Sequence, residues 1–270
     1  MMFKVDDLDE TRAPLLDHLI ELRTRVIRAL LALGVGFAVC LYFADAILGI
    51  LIQPLKDAFP EGQGQLIFTK LPEVFFVELK VALFAGFMVS FPVIANQLWA
   101  FVAPGLYARE KKAFLPFLFA TPVLFAAGAS LAYFVVMPVA FTFFLGFGGL
   151  TGGMNVQALP SAGDYLSLVM QFILAFGLTF LLPVLLLLLH RAGIVSRAQM
   201  VAARRYVIVV IFVIAAIVTP PDPGSQIVLA VPLWLLFEAS LLLMRFQEKA
   251  VAADRAAREA EVAAEKAAAE

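Results

Sequence analysis

The chain has 270 residues, of which 63% are hydrophobic and 15% charged, and its formal net charge is −1. A soluble domain carries about 25% charged residues, so the composition excludes an ordinary soluble fold and predicts an α-helical integral membrane protein. The near-zero charge offers no global field for nucleic acid, and a single cysteine, Cys40, rules out an intrachain disulfide.

Residues 1–25 are charged, and no small-residue cleavage site precedes the first apolar run, so a cleaved signal is not expected. The stretch HLIELRTR at 18–25 leads into the first apolar block, Val26–Phe43. A membrane-crossing helix needs roughly 20 apolar residues. The breaker-rich PEGQGQ at 60–65 separates that block from the second, Val74–Phe101, where Glu78 and Lys80 mark a wet first turn or two. LYAREKKAF at 106–114 connects to the third block, Ala113–Ala140, and GFGGLTGG at 146–153 follows it. Ser161-x-x-Asp164 reads as a capping-box variant ahead of the fourth block, Tyr165–Leu189. The fifth block, Tyr206–Val218, is short, about 20 Å against a hydrocarbon core of about 30 Å. In TPPDPG at 219–224, Asp222 stands before Pro223 as an N-cap before a proline at N1, and the sixth block is Gln226–Met244. Glu238 lies on one face with Arg245 near the end of that block. The tail 249–270 is rich in Ala, Glu, Lys and Arg and reads as a solvated helical or disordered extension of a single six-helix domain, 1–248.

Seventeen of the 20 Lys and Arg residues fall on the side of the membrane that holds the N-terminus, the 2–3 and 4–5 connections and the tail. The other side holds only Lys56, Lys70 and Lys80. The bias predicts six spans with both termini cytoplasmic. Pro92, Pro116, Pro122, Pro138, Pro183 and Pro232 lie inside or near the ends of spans, where each removes a backbone hydrogen bond. Kinked helices of unequal length favour a cupped, concave arrangement over a straight bundle.

Enzyme chemistry finds no support. There is no GxxxxGK[ST], no GxSxG and no HExxH, and His18 and Glu21 lack a second metal ligand at the required spacing. No cofactor or metal is expected. A small-solute secondary transporter is the alternative class, but it calls for mid-membrane charge and internal repeats, and neither is visible.

On a helical wheel at about 100° per residue, Leu15, Leu16, Leu19, Ile20, Leu22 and Val26 form one apolar arc. His18, Glu21, Thr24, Arg25 and Arg28 lie opposite, with Asp17. Glu21 and Arg25, at i and i+4, can form a surface ion pair, or Glu21 can receive an external cation. Arg23 falls at about 80°, inside the apolar arc, so it either snorkels to headgroups or meets a buried partner. Glu110, among Arg109, Lys111 and Lys112, is either a neutralised loop residue or a second carboxylate on the side of Glu21. Two such carboxylates could accept two guanidinium groups. Gln171, Thr179 and Gln226 are polar positions in or near spans, open to bonds with partner helices or within the chain.

HLIELRTR, FPVIANQLWAFVAPGLYAREKKAF (91–114), AYFVVMPVAF (132–141), SLVMQFILAFGLTFLLPV (167–184) and TPPDPGSQ (219–226) together resemble TatC, the polytopic subunit of the twin-arginine protein translocase. The resemblance spans about residues 14–247. It implies a rigid, cupped six-helix fold in the bacterial inner membrane that binds twin-arginine signal peptides of folded cargo at its cytoplasmic face. Glu21 and Glu110 match the glutamates that receive the paired arginines. Phe101, Leu106 and Tyr107 match other positions of that surface, with Arg23 as support, and Pro54 and Asp222 match important positions on the far side. TatA-like and TatB-like single-span partners are implied at spans five and six, with Gln171, Thr179, Thr219 and Gln226 as candidate contacts. Self-association in a larger complex and a proton-motive driving force are also implied. Some relatives carry a glutamate within span four, in a motif matching FLLP, where this chain has Leu181.

Overall fold

The computed structural model describes residues 7–59, 65–106, 111–151, 154–156, 159–191, 193–218 and 223–269. Among these the helices run α1 (Asp7–Tyr42), α2 (Ala44–Ala58), α3 (Glu73–Leu106), α4 (Lys111–Leu131), a π-helical turn (Ala132–Val136) and α5 (Met137–Leu145). They continue as α6 (Ala162–Thr179), α7 (Leu182–Arg191), α8 (Arg197–Ala202), α9 (Arg204–Val218) and α10 (Pro223–Ala269). A hairpin of three-residue strands, β1 (Gly149–Thr151) and β2 (Met154–Val156), pairs Leu150 with Asn155 within the glycine-rich stretch. The fold is otherwise helical, as the composition demands. Five segments are long and apolar enough to cross a membrane: His18–Tyr42, Glu73–Phe101, Phe117–Leu145, Ala162–Arg191 and Gln226–Lys249. The sixth apolar helix, α9, has 15 residues and reaches only about 22 Å. The chain divides into two compact units, residues 1–177 and 178–270.

In the first unit α1 packs along α3, and small residues set how closely. A Cβ on Gly36 would lie 2.8 Å from the carbonyl oxygen of Gly86, and one on Gly86 would lie 2.6 Å from the backbone nitrogen of Phe37. Backbones this close are the usual solution for helices in lipid, where apolar area alone gives no drive to associate. Ser90 fixes the crossing by donating its hydroxyl to the Ala32 carbonyl at 2.8 Å. Phe91 of α3 stacks on Phe125 of α4, with ring centroids 3.7 Å apart.

Helix α2 is absent from a reading by apolar blocks, which treats 44–59 as connection. It contains Pro54, which has no N–H to offer the carbonyl of Ile50 four residues back. The Tyr133 hydroxyl, from the π-helical turn, donates to that carbonyl at 2.7 Å. The Tyr165 hydroxyl of α6 donates to the next carbonyl, Leu51, also at 2.7 Å. The π turn has a proline beside it too. Met137 N–H donates five residues back to Ala132, just before Pro138, the wider spacing expected where a normal ladder is interrupted.

Glu73 begins α3 and also caps α6. One carboxylate oxygen accepts from Ser161 Oγ at 2.6 Å and Gly163 N–H at 2.9 Å. The other accepts from Thr69 N–H at 2.7 Å, Thr69 Oγ1 at 2.9 Å and Lys70 N–H at 3.1 Å. The local Ser161–Asp164 box expected from the sequence is thus replaced by a carboxylate from another helix. Gly163 leaves it room, since a Cβ there would stand 2.7 Å from the Glu73 oxygen.

Span four is two helices. Pro183 cannot donate to a carbonyl four residues back, and the helix stops at Thr179 and restarts at Leu182. Leu181 N–H donates three residues back to Leu178 at 3.0 Å, a tighter turn. In the second unit, α7, α8 and α9 pack on α10. Ser196 and Gln199 form a reciprocal capping box at the start of α8. Arg204 of α9 pairs with Glu238 of α10 at 2.7 Å, and Arg197 of α8 pairs with Glu248 at 3.0 Å. The helix of the last span continues through 249–269.

Two outcomes test this packing. Tyr133→Phe strips the Ile50 carbonyl of its donor and Tyr165→Phe removes the hydroxyl bond to the Leu51 carbonyl, and each lowers stability by about 1–3 kcal/mol, read as a lower thermal midpoint in detergent. The effect is larger for Tyr165, which is only 4% exposed. Pro54→Ala supplies Ile50 with an N–H, so the Tyr133→Phe loss shrinks in that background; an undiminished loss contradicts the assignment. Gly86→Ala collides with α1 and costs about 1–3 kcal/mol, whereas Gly34→Ala, with nothing within 4 Å of its Cβ, is neutral or stabilising.

Candidate functional site

The α1–α3 contact decides which face of HLIELRTR meets protein. At spacings of three and four residues, Glu21, Arg25, Ala29, Ala32, Gly36 and Cys40 are buried or half-buried. The apolar arc of the wheel is turned outward instead: Leu19 is 59% exposed and Val26 45%. In a membrane the outward phase is itself apolar, so an apolar arc need not seek the protein. Arg23 lies exposed on that outward arc.

Glu21 sits where this stripe begins. Arg25 donates to its Oε1 from Nε at 2.9 Å and also from Nη2. Among the described residues its Oε2 has only the His18 ring, 3.8 Å away and beyond hydrogen-bonding distance. The Glu21 side chain is 34% exposed. One carboxylate oxygen is therefore held in place by Arg25 while the other keeps its lone pairs open to a donor. His18 in turn stacks on Phe101 of α3, with centroids 4.3 Å apart and ring planes 13° from parallel. The packing brings His18, Glu21, Arg25 and Phe101 to one end of the α1–α3 pair.

Two further groups prepare that end, and reading the sequence alone passes over both. Trp99 donates from Nε1 to Thr121 Oγ1 at 2.8 Å, and Thr121 passes its own proton to the Phe117 carbonyl at 2.8 Å, latching α3 to α4. Gln97 lies one turn before Phe101, and its buried Oε1 meets no donor among the described residues. A buried acceptor left open costs about 1–3 kcal/mol. The i, i+4 spacing of Gln97 and Phe101 is the signal that could have found it.

The remaining candidates are dispersed. Leu106 closes α3. Tyr107, Glu110, Thr219 and Asp222 lie outside the described residues. Pro54 is buried in α2. Gln171 is exposed on α6, and Thr179 ends that helix. Gln226 of α10 donates from Nε2 to the Phe212 carbonyl of α9 at 3.2 Å, a bond within the chain. Among the described residues no group of three or more His, Cys, Asp or Glu is placed to hold a metal ion.

Comparison with known proteins places this arrangement. A family profile described as Sec-independent protein translocase protein (TatC) matches residues 17–232. A Magnetococcus marinus protein named Sec-independent protein translocase protein TatC is 49% identical over 256 residues, covering 95% of this chain and 93% of the relative. The Escherichia coli K12 protein of the same name is 38% identical over 237 residues, covering 88% and 90%. A crystal structure described as the twin arginine translocase receptor TatC in DDM superposes with a TM-score of 0.73 at 40% identity, covering 84% of this chain and 98% of that one. These names denote a component of protein transport, not an enzyme. Matched along most of its length in sequence and in fold, the chain belongs to the TatC family.

Proposed function

We propose that this protein is the receptor subunit of a twin-arginine translocase, and that the open oxygen of Glu21 is one of its docking points. The observation that carries this reading is the asymmetry of that carboxylate: Oε1 is occupied by Arg25, whereas Oε2, beside the stacked His18–Phe101 rings, meets no donor among the described residues. An arginine of a signal peptide can donate to Oε2 in a charge-assisted bond. The second arginine is assigned to Glu110, and Leu106 and Tyr107 are assigned to the same peptide surface. Arg23, of the same sign as the ligand, serves as support.

The 17-to-3 partition of Lys and Arg supports a cytoplasmic location for this end of the molecule and for both termini. Pro54 and the Asp222 segment then stand on the opposite side. Single-span TatA-like and TatB-like subunits are assigned to the α9–α10 face, where the Gln226 amide already spends one donor on Phe212 and retains its carbonyl oxygen. Thr219 adjoins that face in sequence. Thr179, and less directly Gln171, are secondary candidates. With no nucleotide-binding motif in the chain, the proton-motive force is the energy source that fits, and the receptor works within a larger assembly.

Photocrosslinking of a twin-arginine precursor to positions around Glu21 and Glu110 tests the site. Glu21→Ala and Glu110→Ala each weaken capture by at least about tenfold, the worth of a hydrogen bond to a charged group, and together abolish it. Arg25→Ala leaves capture in place because it frees Glu21. Undiminished capture in the double variant sinks the assignment.

A further inference from the structure

A groove of about 730 Å³ runs between α1, α3 and α6 inside the first unit. Its composition is graded along its length. The Glu73 carboxylate ties the start of α3 to the first turn of α6, so the two helices begin at one level. Counting from that level, Lys80 of α3 and Ser167 and Gln171 of α6 line the near end of the groove, while Phe87, Leu174 and Leu33 line the deeper end. Lys80 stands seven residues past Glu73, about 10 Å along the axis, close enough for its stem to lift the ammonium toward a headgroup layer. Lys80 is exposed, and among the described residues no carboxylate lies within 4.0 Å of it. Leu83, on the groove wall between the two ends, is 51% exposed.

We propose that this groove is a binding site for one anionic phospholipid of the leaflet at the Glu73 end, with its phosphate on Lys80 and an acyl chain laid along Leu83 and Phe87 toward Leu174. A cation above a dry apolar channel matches the order of groups in such a lipid: anionic head, then hydrocarbon. A transmembrane helix of a partner protein fits less well, because it would need an acidic side chain at the level of Lys80 to meet the charge. Ser167 already donates its hydroxyl to the Gly163 carbonyl at 2.7 Å, so Gln171 is the neutral donor left for the glycerol or headgroup oxygens. The site stands apart from the peptide-docking end and does not depend on it.

Native mass spectrometry of the full chain in detergent, with phosphatidylglycerol or phosphatidylcholine added, tests the proposal. The wild-type chain retains phosphatidylglycerol about fivefold better than phosphatidylcholine, the factor expected for one lysine at a lipid surface. Lys80→Gln removes that preference, Lys80→Arg keeps it, and Leu83→Trp, which fills the channel, lowers retention of both lipids. Helical content by circular dichroism stays at the wild-type level in Lys80→Gln. A preference unchanged in Lys80→Gln overturns the proposal. So does displacement of the lipid by inorganic phosphate alone, which would mark a bare anion site. Capture of a protein segment rather than lipid by a photocrosslinker at Leu83 in native membranes would overturn it as well.

Discussion

The absence of side chains at Gly36 and Gly86 is the constraint on which the first unit depends. Because the backbones of α1 and α3 meet there, Ser90 can reach the Ala32 carbonyl. The same register carries outward along both helices to bring His18 onto Phe101. The end that holds Glu21 and His18 is thus set by a contact near the middle of the helix pair, about 23–27 Å from it along α1, 15 to 18 residues at about 1.5 Å each. A rigid pair of long helices transmits register over that distance without any further device. The cationic peptide surface proposed at Glu21 needs no loop to close and no helix to move for its geometry to exist.

A second theme is how polar backbone is satisfied where water is scarce. In hydrocarbon every N–H and C=O must find a partner inside the protein. This chain places proline inside helices and then supplies the missing donors from elsewhere: hydroxyls for α2, a π turn before α5, a tight turn between α6 and α7. At the other extreme Glu73 gathers five donors from two segments. The Glu73 cluster and the two tyrosine hydroxyls hold the first unit together at the end opposite the proposed docking surface, and Glu73 sets the level from which the proposed lipid groove descends. The multi-pass inner-membrane character of the protein is therefore written into its hydrogen bonds as well as its hydropathy.

Spans were legible in the sequence because apolar length is a one-dimensional property. The short fifth span could be read in the same way: α9 has 15 residues against the 13 of its apolar block. Helix α2 was not, because Asp45, Gln53, Lys56 and Asp57 break its apolar run and its cohesion comes from Tyr133 and Tyr165, far along the chain. The hairpin was hidden among glycines that read equally well as loop. At the site, the Glu21–Arg25 spacing was readable as i, i+4, and so was the polar face that holds them. The direction of that face was not. A wheel gives an arc, and only the packing of α3 shows that in this membrane helix the apolar arc is the outer one. Asp164 misled for a related reason, since a local capping motif competes with a distant carboxylate that no local pattern reveals. The family likeness carried the residues that spacing alone left open.

The sealing of α2 also has a consequence in time. The hydroxyls that meet the Ile50 and Leu51 carbonyls lie 83 and 114 residues further along the chain. At roughly 5–20 residues per second, a ribosome takes on the order of ten seconds to supply them after α2 has emerged. During that interval the Ile50 carbonyl, which Pro54 leaves without a helical donor, is better kept in contact with water. The hydrogen bonding of α2 is therefore completed only when the segments bearing Tyr133 and Tyr165 arrive, and the N-terminal part of this protein is completed by its middle.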